Sequence, residues 1–129
     1  MQRKQINNDH GVITYWRSEE FDLTRDTLFF LHGLTADHTM FEQQFCFFEH
    51  RYNILAWDAP AHGESRPYDP FTYENAAHGL KKIMDECGVQ QLILIGQSMG
   101  GFIAQSFIYR YPEHCKAFIA IGSTPYGDY

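Results

Sequence analysis

Short apolar runs alternate along the chain with longer stretches whose apolar residues recur at helical spacing. Runs at residues 27–31, 53–57, 92–95 and 117–121 are almost entirely apolar, and residues 12–16 are rich in β-branched and aromatic side chains. Runs without a polar face predict strands that are buried on both sides, as in a parallel sheet. Between the runs at residues 27–31 and 53–57, Phe41, Phe45 and Phe48 recur at i, i+4 and i+7, which predicts a helix over residues 39–48.

Two further helices are predicted between the later strands. Thr72 has the residue type of an N-cap and Gly88 that of a terminator, so the first of them lies between these residues. The second follows Ser98 and ends before Pro112, because the residue before a proline avoids helical geometry. The resulting order is strand, strand, helix, strand, helix, strand, helix, strand. It predicts one α/β domain with a mostly parallel sheet and crossover helices on both faces.

Composition and charge exclude several classes of protein. The 129 residues are 44% hydrophobic and 16% aromatic, which is enough for one packed core and excludes general disorder. A net charge of -6 without a basic cluster makes nucleic acid or anionic lipid an unexpected partner. No apolar stretch approaches the roughly 20 residues of a membrane span, and no apolar segment follows Arg3 and Lys4 as in a secretory signal.

The cysteine and histidine spacings suggest neither a disulfide nor a metal site. Cys46, Cys87 and Cys115 are an odd number without a Cys-x-x-Cys pair, so we expect reduced thiols in a cytoplasmic protein. His32 and His38 are too far apart for one helical face, and we expect neither a metal nor another cofactor. Four histidines are expected at the surface: His10, His38, His50 and His78.

The strongest candidate for chemistry is Gly-Gln-Ser-Met-Gly at residues 96–100. It matches G-x-S-x-G, with an apolar run before it and a helical pattern after it. A serine at such a sharp turn adopts a strained backbone conformation that presents its hydroxyl to solvent. Neighbouring chain segments come so close that the residues two before and two after the serine must be small. Because a strand is predicted before this motif and a helix after it, a nucleophile at Ser98 is much more strongly favoured than a chance match to the pattern.

Two weaker motifs follow the preceding predicted strands. The first is His32-Gly33-Leu34, a loop that can offer a backbone N–H to an oxyanion. Taken alone it is a weak signal, and a turn that merely ends the strand is the favoured interpretation. The second, Asp-Ala-Pro-Ala-His-Gly-Glu-Ser at residues 58–65, is interpreted as a polar turn whose proline and glycine serve the backbone.

Together and in this order, the three motifs resemble the N-terminal half of the α/β-hydrolase superfamily, over about residues 11–125. The similarity is to esterase- and lipase-like, haloperoxidase-like and C–C hydrolase-like members. It implies that Ser98 is the nucleophile and that the backbone N–H groups of Leu34 and Met99 form the oxyanion hole. Ala61 replaces the first glycine of the family's turn D-x-P-G-H-G-x-S, which makes that turn less permissive. Serine at 98 separates the chain from haloalkane dehalogenases and most epoxide hydrolases, which have aspartate there.

The general base is not evident within the sequence. The resemblance implies an acid and then a histidine after later strands. Glu113 and His114 lie at the far end of the helix, roughly 20 Å from the serine. Asp128 follows the last predicted strand and stays as an alternative for the acid. His32 is favoured as a residue that shapes the oxyanion loop.

We therefore expect residues 1–129 to be the N-terminal part of one α/β-hydrolase domain, with its C-terminal strands, cap, triad acid and histidine beyond Tyr129. The run 117–121 would then be an open apolar edge, suited to self-association or to pairing with another chain. The expected function is hydrolysis of small carboxylic esters or related acyl substrates, with little activity in this chain alone. Alternatives are a C–C hydrolase, a perhydrolase, a menaquinone-pathway lyase or a short, non-enzymatic binding module.

Overall fold

The computed structural model describes residues 1–124 and contains six strands and three α-helices in that part of the chain. The strands are β1 (Gln2–Asn8), β2 (Gly11–Arg17), β3 (Thr27–Leu31), β4 (Asn53–Trp57), β5 (Leu92–Gln97) and β6 (Cys115–Ile121). The helices are α1 (Glu42–Phe48), α2 (Tyr73–Glu86) and α3 (Met99–Arg110). Short 3-10 turns precede α1 at His38–Phe41 and β6 at Pro112–His114.

The strands form one mostly parallel sheet in the order β1-β2-β4-β3-β5-β6. β3 pairs in parallel with β4 on one side and with β5 on the other, and β6 pairs in parallel with β5. β1 and β2 form an antiparallel hairpin at one side of the sheet. The mostly parallel sheet predicted from the apolar runs is confirmed.

β1 is a strand that the apolar pattern does not predict. Its seven residues, QRKQINN, are polar except for Ile6, which is the one buried residue of the strand. The strand forms by pairing with β2 over its whole length, and the Asn8 Oδ1 accepts hydrogen bonds from the His10 and Gly11 backbone N–H groups in the connecting turn. Because β1 lies at the edge of the sheet, it needs little apolar surface.

Helices cover both faces of the sheet, as predicted from right-handed crossovers. On one face, Phe41 of the 3-10 turn and Phe45 of α1 pack against Leu28, Phe30 and Ile54. The other face belongs to a larger core in which α2 and α3 cover alternate residues of the same strands. The members contributed by β3, β4, α2 and α3 include Phe29, Leu31, Leu55, Trp57, Leu80, Ile83, Ile103 and Phe107.

The predicted helix limits are close to the observed ones. The Thr72 hydroxyl accepts a hydrogen bond from the Asn75 N–H at 2.9 Å and caps α2, and Gly88 after its end has φ 72°. α3 ends at Arg110, before Pro112. The predicted helix 39–48 divides into a 3-10 turn, capped by Asp37, and α1.

β6 lies at the edge of the sheet and is mostly exposed. Within residues 1–124 it pairs only with β5, and Ile119 and Ile121 are 51% and 44% exposed. The open apolar edge expected at residues 117–121 is therefore present. The longest helix of residues 1–124, α2, has 14 residues, and none there is long and apolar enough to cross a bilayer.

Candidate active site

Ser98 occupies the sharp turn between β5 and α3 and has a strained backbone. Its φ of 51° and ψ of -114° lie outside the regions that a residue with a side chain usually adopts. The turn is held because the Ser98 N–H donates to the Ile121 carbonyl at 3.0 Å and the Ser98 carbonyl accepts from the Gly101 N–H at 2.8 Å. The side chain is half-buried and does not cap α3, so its hydroxyl stays available.

The glycines on both sides of Ser98 are required by close backbone contacts. A Cβ at Gly96 would lie 2.7 Å from the Gly100 backbone. A Cβ at Gly100 would collide with the Leu31 carbonyl oxygen. The predicted steric need for small residues on both sides of Ser98 is confirmed.

Leu34 and Met99 lie at the same edge of the sheet as Ser98, because β3 and β5 are adjacent and parallel. Met99 is the first residue of α3, so its N–H has no acceptor inside the helix. Leu34 follows Gly33 in a tight turn in which the Ala36 N–H donates to the Gly33 carbonyl at 3.2 Å. In residues 1–124 neither the Leu34 nor the Met99 N–H donates to a backbone carbonyl. This geometry is compatible with an oxyanion hole.

His32 links two loops and is not available as a base. It is 1% exposed, its Nδ1 donates to the Gly33 carbonyl at 2.8 Å, and its Nε2 accepts from the Ala59 N–H at 2.9 Å. These partners require the neutral form with the proton on Nδ1. Burial lowers the pKa of His32 below its ordinary value, more than the bond to Gly33 raises it.

The turn at residues 58–65 is held by buried hydrogen bonds of its own side chains. Asp58 is 1% exposed and accepts from the His38 and Glu64 N–H groups and from the His38 ring. Ser65 donates to the Asp58 carbonyl and accepts from the Thr14 N–H at 2.8 Å. These contacts agree with the interpretation of this stretch as a structural turn.

Comparison with known proteins identifies the family. The sequence model described as alpha/beta hydrolase fold matches residues 26–127. The chain belongs to the alpha/beta hydrolase family. The fold and the resemblance inferred from the sequence are therefore confirmed.

Relatives of this alpha/beta hydrolase include enzymes with named substrates. An uncharacterized hydrolase, YugF, of Bacillus subtilis is 32% identical over 90% of the chain, and 3-oxoadipate enol-lactonase 2 of Acinetobacter baylyi is 28% identical over 74%. The structure of the N-acyl homoserine lactonase AidH with N-butanoyl homoserine superposes on 97% of the chain with a TM-score of 0.85 and 25% identity. The chain spans 43%, 36% and 46% of these three proteins.

Among the described residues, Glu113 and His114 are far from Ser98. The His114 Nδ1 donates to the carbonyl of Gln90, which precedes β5, so both residues lie at the opposite edge of the sheet. α3 has 12 residues, which is about 18 Å of helix between the two edges. Asp128, the alternative acid, lies outside the described residues.

His62 lies nearer to the candidate site than Glu113 or His114. Its Nδ1 donates to the Pro60 carbonyl at 3.1 Å, and its ring packs against the ring of His32 at 5.6 Å. The half-buried ring belongs to the loop after β4, at the edge of the sheet that carries Ser98.

The expectation that His38 is a surface residue is wrong. Its ring stacks on Trp16 at a centroid distance of 3.5 Å, and its Nδ1 lies 2.8 Å from the Asp58 carboxylate. These partners are 22 and 20 positions away in the chain, so no local pattern could show them. His50 and His78 are exposed as expected, and His10 is half-buried.

Asp37, His38 and Asp58 form the one cluster of possible metal ligands within residues 1–124, with their ligand atoms within 4.8 Å of one another. The sequence did not reveal this cluster, because it joins two loops. Its groups already bond to the protein: Asp58 accepts from His38, and Asp37 accepts from the Thr39 hydroxyl and N–H, which hold the pKa of Asp37 below its ordinary value. The cluster therefore connects the loop after β3 to the turn after β4.

Proposed function

We propose that this chain supplies the nucleophile and the oxyanion hole of a serine hydrolase that acts on small carboxylic esters or lactones. The observation that carries the proposal is the φ of 51° at Ser98, a non-glycine residue held in a strained turn with an uncapped hydroxyl. Strain of this kind is concentrated at functional sites. The lactonases among the relatives support esters and lactones as the substrate class.

In the proposed mechanism, the Ser98 Oγ attacks the ester carbonyl carbon and loses its proton to a base. The carbonyl oxygen becomes an oxyanion that accepts hydrogen bonds from the Leu34 and Met99 N–H groups. Collapse of the tetrahedral intermediate expels the alcohol and leaves an acyl group on Ser98. Water then attacks the acyl carbonyl, which releases the acid and restores the serine.

We propose that the base and its orienting acid come from outside residues 1–129, either from further chain or from a second polypeptide. The proposal rests on two of the three described histidines at this edge of the sheet, His32 and His38; the third, His62, donates through Nδ1 to the Pro60 carbonyl of its own loop. Both nitrogens of His32 are engaged, and His38 is directed to Asp58 and Trp16. His38 stacks on β2, which is three strands away from β5, or about 14 Å at ordinary strand spacing.

An alkyl fluorophosphonate tests the nucleophile in the product of the complete reading frame. We expect one phosphonyl group on the peptide that contains Ser98, and none in Ser98→Ala. Ser123→Ala is the matched control, because Ser123 is the neighbouring hydroxyl and donates to the Ser98 carbonyl at 3.2 Å. Labelling at Ser123, or labelling that survives Ser98→Ala, would contradict the assignment.

Substrate profiling of the same protein distinguishes the alternatives. Cleavage of esters or lactones supports the proposal, whereas C–C cleavage, peracid formation or lyase activity would indicate different chemistry on this fold. A stop codon directly after Tyr129, together with no labelling of Ser98, would favour a non-enzymatic binding module. The expected cytoplasmic location stays a prediction.

A further inference from the structure

A series of half-buried rings extends from the loop after β4 to the first turn of α3. Its members are His62, Phe71, Tyr73 and Phe102, which we call the aromatic wall. The centroids of consecutive rings are 6.0, 6.0 and 6.1 Å apart. These distances are within the range in which aromatic rings attract one another.

The wall lies beside Ser98. Phe102 is one helical turn beyond Ser98, and its N–H donates to the Ser98 carbonyl at 3.3 Å. Tyr73 begins α2 and is fixed to the same part of α3, because the Ser106 hydroxyl donates to the Tyr73 carbonyl at 3.2 Å. At the other end, His62 packs against His32, the residue before Gly33 in the oxyanion loop. The wall therefore connects the two loops proposed to surround the reacting carbonyl.

The exposure of the wall distinguishes it from the core. Phe29 and Phe107 of the core are completely buried, whereas the four residues of the wall are only half-buried. Apolar rings that stay accessible beside convergent polar groups are typical of small-molecule sites. The wall thus offers an apolar surface next to the candidate nucleophile.

The angles between the rings favour an aromatic ligand. Consecutive rings are inclined by 63°, 81° and 44°, so neighbouring rings meet edge to face or tilted and are not stacked. An added ring can contact such a surface edge to face, which is the preferred arrangement of aromatic pairs. A saturated ring of the same size fills the space but lacks this attraction.

We propose that the aromatic wall binds an aryl group carried by the ester or lactone that reacts at Ser98. The inference rests on the proposed function, which places the reacting carbonyl between Ser98 and the oxyanion loop. It adds a substrate class, namely esters and lactones with an aromatic substituent within reach of the first turn of α3.

Two ketones that lack a leaving group test the wall without catalysis. Phenylacetone and cyclohexylacetone have the same chain and differ in the aromaticity of the ring. We expect NMR titration to give an affinity three- to tenfold higher for phenylacetone, in the wild type and in Ser98→Ala. Cross-relaxation between the ligand ring and Phe102 would place the ligand on the wall.

Leucine variants keep apolar volume and remove the ring. In Phe102→Leu and Tyr73→Leu the ratio of the two affinities should fall to about one, with circular dichroism showing that both variants fold. Phe47→Leu is the control and should keep the wild-type ratio, because Phe47 is 78% exposed on α1, across the sheet.

Equal affinities in the wild type, no binding of either ketone, or an unchanged ratio in both leucine variants would overturn the inference. The proposed function fails separately, when the phosphonate does not label Ser98. Labelling could fail while phenylacetone still binds more tightly than cyclohexylacetone in the wild type and equally tightly in the leucine variants. The aryl site would then be supported without the reaction at Ser98.

Discussion

At the scale of single residues, backbone conformation decides which side chains are under strain. Thr35, Ala61 and Ser98 are the non-glycine residues with positive φ within residues 1–124. At Ser98 the strain accompanies the candidate nucleophile. At Ala61 it follows from a substitution in a turn where the resemblance leads one to expect glycine, so Ala61 is a site where stability can be gained.

Ala61→Gly is expected to raise the free energy of unfolding by about 0.5–1 kcal/mol. The φ of 70° costs an alanine roughly 1–2 kcal/mol, and the greater freedom of glycine in the unfolded chain offsets part of the gain. Urea unfolding measures the difference. Gly63→Ala is the converse change and should destabilise, because φ is 47° and a Cβ would meet the Asp58 carboxylate. A destabilised Ala61→Gly would show that the turn is not strained.

His32 makes stability depend on pH. Its folded-state pKa lies below the ordinary value near 6.5, so below that pH the unfolded chain binds a proton that the native state excludes. The contribution of neutral His32 is therefore complete above pH 6.5 and is lost as the pH falls towards the folded-state pKa, by at most about 1.4 kcal/mol per pH unit.

Comparing His32→Gln with wild type isolates this effect. Glutamine offers a donor and an acceptor but does not titrate, so the variant's stability should fall less steeply between pH 6.5 and 5. His50→Gln, at an exposed position, should keep the wild-type slope. Parallel stability curves for His32→Gln and wild type would contradict the assignment.

At the scale of elements, the two edge strands differ in character. β1 is polar and is attached to α2 through the Lys82 ammonium, which donates to the Asn7 carbonyl. β6 is apolar and exposed, and an edge strand of that kind pairs readily with another strand. The expected self-association of this chain therefore belongs to β6.

Ile119→Lys should weaken self-association of the 129-residue chain by about tenfold or more, because a charge on an edge strand opposes strand pairing. Sedimentation velocity over a concentration series gives the dissociation constant. Leu23→Lys is the control, since Leu23 is 62% exposed and lies in the loop between β2 and β3, outside the edge strand β6. A monomeric wild type, or an equal effect of both changes, would argue against association through β6.

At the scale of the whole molecule, the candidate nucleophile Ser98 and the proposed oxyanion loop lie at one edge of the sheet, and we propose that their base comes from outside residues 1–129. The 129-residue chain should therefore accelerate the hydrolysis of a nitrophenyl ester by no more than about 10⁴-fold over the uncatalysed reaction in water. Such an acceleration is the residual effect of an oxyanion hole and substrate binding without a complete triad. Steady-state rates of wild type and Ser98→Ala test this. Faster hydrolysis that Ser98→Ala abolishes would show that a histidine of this chain, or of a second copy, acts as the base.

The sequence by itself determined the features that depend on neighbouring residues. The buried apolar runs specify β3 to β5, Thr72 and Gly88 specify the limits of α2, and residues 96–100 specify the turn at Ser98. Each depends on local periodicity, capping or steric contact, and so can be inferred without knowing what lies across the fold.

Tertiary structure decided the rest. β1 has no apolar pattern and exists because β2 offers it a partner, and His38 is held by Trp16 and Asp58, which the fold brings from other strands. The aromatic wall likewise joins residues up to 40 positions apart, from His62 to Phe102. These features depend on which strands and helices become neighbours, and that follows from packing the whole sheet rather than from any one segment.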